Sequence, residues 1–301
     1  MLIDLHKRIN QWLVLFILSF IWGASFILIK RGLQSFDLFQ VASLRMLIAY
    51  LILLPFALKR LHLLKKDKRL IWLFLEVGFI GNAIPSYFFT WAQQHIDSSF
   101  AGILNTTTPV FAFLVAVFWF KHKVKPSRWI GLLIGFIGIT GLLLGKGIDN
   151  FTSGSGAYAL VIILASVFYG INVNVIKEYL HDYDGLTMTS LAFFFVGPVV
   201  IIQLLLFSDL PQSFSNPLAW QSLGYITILS VFSSVVAVIG LNTLIHYTSA
   251  IFASSVTYII PIFAILWGLL DGETLVPLQL ISTIVVFSGI YLLNKQNKTS
   301  M

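Results

Sequence analysis

Ten stretches of about twenty residues, each almost continuously apolar, follow one another along the chain with short polar links between them. A helix needs about 20 apolar residues to cross a hydrocarbon core about 30 Å thick. The runs fall near residues 11–31, 38–58, 70–91, 98–120 and 129–146, then 156–177, 186–207, 220–246, 249–271 and 275–294. They lack the apolar–polar alternation of a barrel strand. The sequence therefore predicts an all-α integral membrane protein with ten transmembrane helices. Composition agrees. Of 301 residues, 58% are hydrophobic and only 10% charged, whereas a soluble domain carries about 25% charged residues. Such hydrophobicity excludes a disordered chain, and the absence of Cys excludes a disulfide scaffold or a thiolate metal site. The run that follows His6, Lys7 and Arg8 continues past Ala24 to Lys30. That is longer than the apolar core of a signal peptide, so it reads as an uncleaved first span.

The formal charge of +7 reflects topology. With the N-terminus in the cytoplasm and ten crossings, the cytoplasmic side collects Lys7 and Arg8, the Lys59–Arg69 cluster, the Lys121–Arg128 cluster, Lys177, Lys295 and Lys298. The opposite side has only Lys30, Arg31 and Lys146, and Arg45 alone lies within a span. This is the positive-inside asymmetry. It places both termini in the cytoplasm and removes any need for a nucleic-acid partner. The longest polar links are read at Lys59–Arg69, Gly147–Ser155 and Ser208–Ala219.

The two halves resemble each other at a spacing of about 150 residues. Trp22-Gly23-Ala24-Ser25 through Lys30 parallels Tyr169-Gly170-Ile171-Asn172 through Lys177. Ala101 through Pro109-Val110-Phe111 parallels Ala253 through Pro261-Ile262-Phe263, and Phe136, Gly138 and Ile139 parallel Phe287, Gly289 and Ile290. Five spans per half is an odd number, so the second half enters the membrane upside down. The expectation is two inverted repeats, 1–150 and 151–301, related by a pseudo-two-fold axis in the membrane plane, with a site between them near the midplane.

These residues also carry a family resemblance. Trp22-Gly23-Ala24-Ser25-Phe26 with Lys30, Ser43-Leu44-Arg45, and Trp91-Ala92 through Ala101, Pro109 and Phe111 fit the pattern. So do Ala253-Ser254-Ser255, Pro261, Gly272-Glu273-Thr274, Gln279 and Gly289. Over nearly its whole length the chain resembles the drug/metabolite transporter superfamily, specifically the EamA-type ten-helix permeases. It departs from internal symmetry at Phe120-Lys121, where the second half has Gly272-Glu273. The resemblance implies a transporter of small organic metabolites, often an amino-acid or drug exporter, in a bacterial cytoplasmic membrane.

Catalytic motifs are missing from the sequence. Gly145-Lys146 is the nearest fragment to a phosphate-binding loop, but Thr140 replaces its first glycine and Gly147 stands where Ser or Thr is needed. His6, His62, His95, His122, His181 and His246 lie at span ends or in links, without metal-ligand spacing. No enzyme activity, metal or cofactor is expected. The rival classes are an integral-membrane enzyme, a scaffold and a channel; a channel would usually show a charged ring or a carbonyl filter.

Function is then expected in the polar groups at depth. Arg45 and Glu76 are the two ionisable candidates, each roughly 10 Å into its span. Arg45 can bind a substrate carboxylate or a helix-end carbonyl, and it sits at a recurrent Arg of the family pattern. Glu76 can snorkel towards Lys68 or Arg69, or serve as a shallow proton site; otherwise transport is uncoupled. The neutral candidates form stripes. Asn82, Ser86, Thr90 and Gln93 share helical phase on the third span, as Ser230, Ser234 and Asn242 do on the eighth. Trp22 and Ser25 share a face of the first span, and Tyr169 and Asn172 a face of the sixth. Asn105 and Thr106 precede Pro109 as Thr257 and Tyr258 precede Pro261, where the prolines are expected to free backbone carbonyls. Together these residues suggest a cavity for a small zwitterion or amphipathic solute. Gly131, Gly135, Gly138, Gly141 and Gly145, with Ser282 and Gly289, mark the fifth and tenth spans as a close-packed scaffold, or else a dimer contact. The assembly is expected to be a monomer or homodimer in the lipid bilayer.

Overall fold

The computed structural model describes residues 5–123, 126–144, 155–248, 252–253 and 256–294. Gly145-Lys146, Gly147, Ser254, Ser255, Lys295, Lys298 and the boundary expected at 150/151 lie outside the described residues. Among the described residues the secondary structure is helical throughout, with no strand. The principal elements are α1 (Arg8–Gly32), α2 (Leu38–Lys66), α3 (Arg69–Ala92), α4 (Ser98–Phe118), α5 (Pro126–Leu144), α6 (Ser155–Tyr179), α7 (Gly185–Leu206), α8 (Ala219–Tyr247), α9 (Val256–Leu270) and α10 (Pro277–Asn294). A short helix, Leu210–Ser213, lies between α7 and α8. Seven of them, α1 to α4 and α6 to α8, are long and apolar enough to cross a membrane; the apolar runs described in α5, α9 and α10 are shorter.

Local chemistry sets the helix starts. Asp37 caps α2 in a reciprocal capping box with Gln40. Asp184 caps α7, accepting from the Thr187 amide at 2.9 Å. Burial alone would raise the Asp184 carboxyl, but its hydrogen bonds from Thr187 and the nearby Arg60 charge hold it below its ordinary value. α2 continues to Lys66. The stretch from Lys59 onward, expected as a link, is therefore mostly the last two turns of a helix on which Lys59, Lys65 and Lys66 are exposed.

Three helices are irregular where the cavity forms. α3 widens to a π-helical segment at Phe79–Ala83, just before Pro85. α8 widens at Leu229–Val236. α4 tightens to a 3-10 turn at Asn105–Thr107, before Pro109. Pro109 cannot donate back to Asn105, and the Thr108 amide takes up that carbonyl instead. The carbonyl expected to be free is thus occupied.

Packing follows the apolar surfaces. α2 lies along α7, α1 along α9, and α6 between α3 and α4. α5 and α10 form the most extensive pair. Their small residues let the backbones meet: a Cβ on Gly289 would stand 2.4 Å from the Gly135 nitrogen, and one on Gly138 2.6 Å from Val286. The glycine faces expected to serve as scaffold or dimer contact are used within the chain. Large side chains such as Trp72, Leu205, Phe207 and Trp220 project outward and are more than 70% exposed. Lipid is the solvent that suits such a surface.

Candidate functional site

A cavity of about 150 Å³ opens among α1, α2, α3, α4, α6, α8 and α9. That is below the 300–1,000 Å³ of pockets for drug-sized ligands. It suits a small metabolite. Of the residues singled out in the sequence, Trp22 and Ser25 line it from α1, Arg45 from α2 and Asn82 from α3. Asn105 lines it from α4, Tyr169 and Asn172 from α6, Asn242 from α8 and Thr257 from α9.

Five other candidates stand back from it. Ser86 and Thr90 are buried, and the Thr90 hydroxyl donates to the Ser86 carbonyl at 2.8 Å. Thr106 is buried and donates to the Ile103 carbonyl at 2.7 Å. Ser234 sits behind Arg45, accepting from its Nε at 2.6 Å. Tyr258 lies edge-on to Phe287, with ring centroids 6.0 Å apart. The π-segments explain the split on α3 and α8. Each adds a residue to the turn, which rotates everything beyond it by about 100° relative to an ideal α-helix. Asn82, inside the wide turn, faces the cavity, whereas Ser86 and Thr90 beyond it do not share that face. The same widening brings in Ser233, which strict helical phase does not pick out on α8. Thr108 also lines the cavity. The polar run Asn105-Thr106-Thr107-Thr108 before a proline was the available signal for it.

Arg45 is the one charged residue among the lining residues described. Its Nε reaches Ser234 and its Nη2 reaches the Ser233 hydroxyl at 3.1 Å. The main-chain carbonyl of Arg45 accepts from Ser230 Oγ at 2.6 Å, and Trp22 Nε1 donates to the Ser233 carbonyl at 3.2 Å. The Tyr169 ring stacks on Phe89, with centroids 6.1 Å apart. Asn172 packs flat on Gly81, where a Cβ would come within 2.4 Å of its amide.

Glu76 lies outside this lining. Both its carboxylate oxygens are buried without a hydrogen-bond partner among the described residues. The expected snorkelling does not occur, because Arg69 turns instead over the Tyr179 ring, 4.8 Å from its centroid. Arg45 and Glu76 do not pair; Arg45 is held on α8 by the two serines.

One end of the bundle is tied by charge. Lys30, in the last turn of α1, reaches Asp271 at 2.6 Å and Glu273 at 2.7 Å, and Arg31 bonds Asp271 as well. Glu273 also accepts from the Ser98 amide and hydroxyl and from the Ser99 amide, at 3.1, 2.8 and 2.9 Å, at the start of α4. Burial alone would raise the Glu273 carboxyl, but Lys30 and these donors outweigh it and hold it at about 2. At the opposite end the ties are weaker. His122 meets Glu178 at 3.1 Å, Arg60 Nε donates to Thr187 at 2.6 Å, and His246 Nδ1 lies 2.8 Å from the His181 carbonyl. No group of three or more His, Asp or Glu residues suited to a metal ion occurs among the described residues.

Membrane-crossing helices enclosing a small, mainly apolar cavity set with polar side chains are the architecture of a solute transporter. A family model described as the EamA-like transporter family matches residues 11–144 and 156–295, and the chain belongs to that family. It is similar to the uncharacterized inner membrane transporter YedA of Escherichia coli, 27% identical over 277 residues, 91% of this chain and 87% of that one. An uncharacterized transporter of Archaeoglobus fulgidus is 29% identical over 286 residues, 93% and 96% of the two chains. The chloroplastic WAT1-related protein At3g02690 of Arabidopsis thaliana is 24% identical, over 94% of this chain and 69% of the relative. A crystal structure shares the fold, with a TM-score of 0.65 at 15% identity, covering 95% and 96% of the two chains.

Proposed function

We propose that the chain is a secondary transporter that exports a small organic metabolite, an amino acid or a related compound, by alternating access. In this reading all ten helices cross the membrane as two inverted five-helix halves, 1–150 and 151–301, with both termini in the cytoplasm. The chain acts as a carrier and not as an enzyme or a channel. Export and the amino-acid class rest on the family resemblance.

The observation that carries the reading is a cavity into which both halves set Asn, Ser, Thr, Trp and Tyr side chains among a mainly apolar lining. The pattern of helix contacts supports the inverted halves. Exchange α1 with α6, α2 with α7, α3 with α8, α4 with α9 and α5 with α10. The α1–α9 contact then becomes α6–α4, α3–α7 becomes α8–α2, and the α2–α7 and α5–α10 pairs map onto themselves. Single residues follow suit. Gly23 packs on Phe263, two residues after Pro261, and Gly170 packs on Phe111 and Ala112, with Phe111 two residues after Pro109. The link after α4 turns through Lys121 at φ 56° and the link after α9 through Gly272 at φ 83°. A left-handed lysine is unusual, so the shared turn is consistent with a common ancestral geometry.

Rocking of one half against the other would expose the cavity to each side in turn. The Lys30–Glu273–Ser98 cluster then closes one mouth in this conformation. Counterflow in proteoliposomes tests the reading: preloaded amino acids and related metabolites should accelerate uptake of the same labelled solute. Asn105→Ala and Asn172→Ala should each weaken half-saturation by about 10-fold. Uptake that never saturates and shows no counterflow would favour a channel.

A further inference from the structure

We infer that the transported solute carries one carboxylate, and that this group seats on the guanidinium of Arg45. The inference rests on the carrier reading above and names the chemistry its cavity selects. A guanidinium has five N–H donors and stays charged in proteins. Two of these five are used, one on Ser234 and one on Ser233, and both acceptors are neutral hydroxyls. No acidic side chain lies within ion-pair distance of Arg45 among the described residues, and none is among the described cavity-lining residues.

A cation enclosed by apolar helices is costly unless it is paired. Here no pairing group lies among the described residues, while Arg45 lines an open cavity. Ser233 and Ser234 hold the guanidinium through two of its N–H groups, and a carboxylate is the anion that a planar fork accepts through two parallel bonds. Tyr169 lines the same cavity from α6. Lone positive charge and a volume of about 150 Å³ favour a small monoanion. A phosphate ester would bring nearly two negative charges to a single cation, and a cationic solute would meet repulsion with no compensating anion.

The second half breaks the internal symmetry at this point. Ser230 touches the carbonyl of Arg45, and its counterpart Gly78 lies against the carbonyl of Ala192, 2.6 Å from where its Cβ would stand. Arg45 is thus matched by alanine. The cation is not needed to hold the equivalent packing, which supports a role in recognition.

The test uses the full chain purified in detergent. Its thermal stability is measured against a panel of amino acids and 2-oxo acids, each paired with its methyl ester and its amide, together with simple amines and phosphate esters. At least one acid should stabilise the protein at a concentration 10-fold or more below its ester. Arg45→Gln should weaken that acid by about 10- to 100-fold and leave the ester's binding unchanged, which also reports that the variant is folded. Arg45→Lys, which keeps charge without the fork, should fall between. Equal binding of acid and ester, a preference for amines or phosphate esters, or no response to any acid overturns the inference. If the variant cannot be purified, the wild-type acid-to-ester ratio alone decides. The carrier reading stands or falls separately, by counterflow of whatever solute the panel identifies.

Discussion

Ser230 Oγ on α8 donates to the main-chain carbonyl of Arg45 on α2 across 2.6 Å. At the place that the proposed inverted pairing makes equivalent, Gly78 on α3 presses on the carbonyl of Ala192 on α7. A hydroxyl bridges the first contact, and the lack of a side chain permits the second. Each joins a helix with a π-segment, α8 or α3, to a helix from the other half of the chain, α2 or α7. These contacts hold the cavity wall, so their loss should be felt in stability before it is felt in recognition.

Gly78→Ala should cost about 1–3 kcal/mol, because its Cβ meets backbone and not a yielding side chain. Ser230→Ala forfeits one hydrogen bond and should cost about 1 kcal/mol. Thermal unfolding of the purified variants in one detergent ranks them. The reverse order would mean that the α3–α7 contact is looser than its geometry.

A second glycine pair contrasts buried scaffold with free surface. Gly289→Ala places a methyl group 2.4 Å from the Gly135 nitrogen and 2.7 Å from the Gly131 carbonyl, and should lower stability by about 1–3 kcal/mol. Gly224→Ala on α8 has nothing within 4 Å and should gain up to about 1 kcal/mol from helix propensity. Opposite shifts in Tm are the expected pair of results.

The charged tie at the α1–α4–α9 end should depend on pH with a definite sign. Glu273 is held at about 2, below the 4.5 of the free side chain. Its contribution is therefore complete above about 4.5 and is lost as pH falls towards 2. Lys30 is partly exposed, which screens the pair. Glu273→Gln should cost about 1–3 kcal/mol at pH 7, with the deficit against wild type narrowing as the medium is acidified from 5 to 3. A constant deficit would assign the effect to packing. In the proposed carrier the tie closes one mouth, and there the same variant should raise the labelling rate of a cysteine placed at Trp22.

Glu76 is stranded, with buried oxygens and no donor among the described residues. Burying such a carboxylate without a partner is unfavourable. Glu76→Gln should therefore raise Tm at pH 8 by a few degrees. If Glu76 relays protons, the same change should abolish the pH dependence of uptake in proteoliposomes; unchanged dependence would assign coupling elsewhere or leave transport uncoupled.

Helical membrane architecture was readable because apolar run length is a one-dimensional signal, and Gly23 and Gly170 were readable as points of close approach to the segments after Pro261 and Pro109. Arg45 stood out as a charge inside an apolar run. Ser233 and the turned-away Ser86 and Thr90 were not readable in the same way. A π-segment alters helical phase without a consistent sequence mark: Pro85 follows one, but no proline lies in or just after the other. Glu273 was visible only as part of a family pattern, since its partners Lys30 and Ser98 are more than 170 residues away in sequence. Link lengths misled at Lys59–Lys66, where a polar composition hid two more turns of helix.

The inverted arrangement is open to direct measurement because the chain contains no Cys. Asp67→Cys, between α2 and α3, and Ser215→Cys, between α7 and α8, each create a single exposed thiol at equivalent positions of the two halves. Labelled in intact cells with a membrane-impermeant maleimide, Ser215→Cys should react while Asp67→Cys is protected until the membrane is opened. Reaction of both thiols from the same side would place the halves in parallel and contradict the inverted carrier.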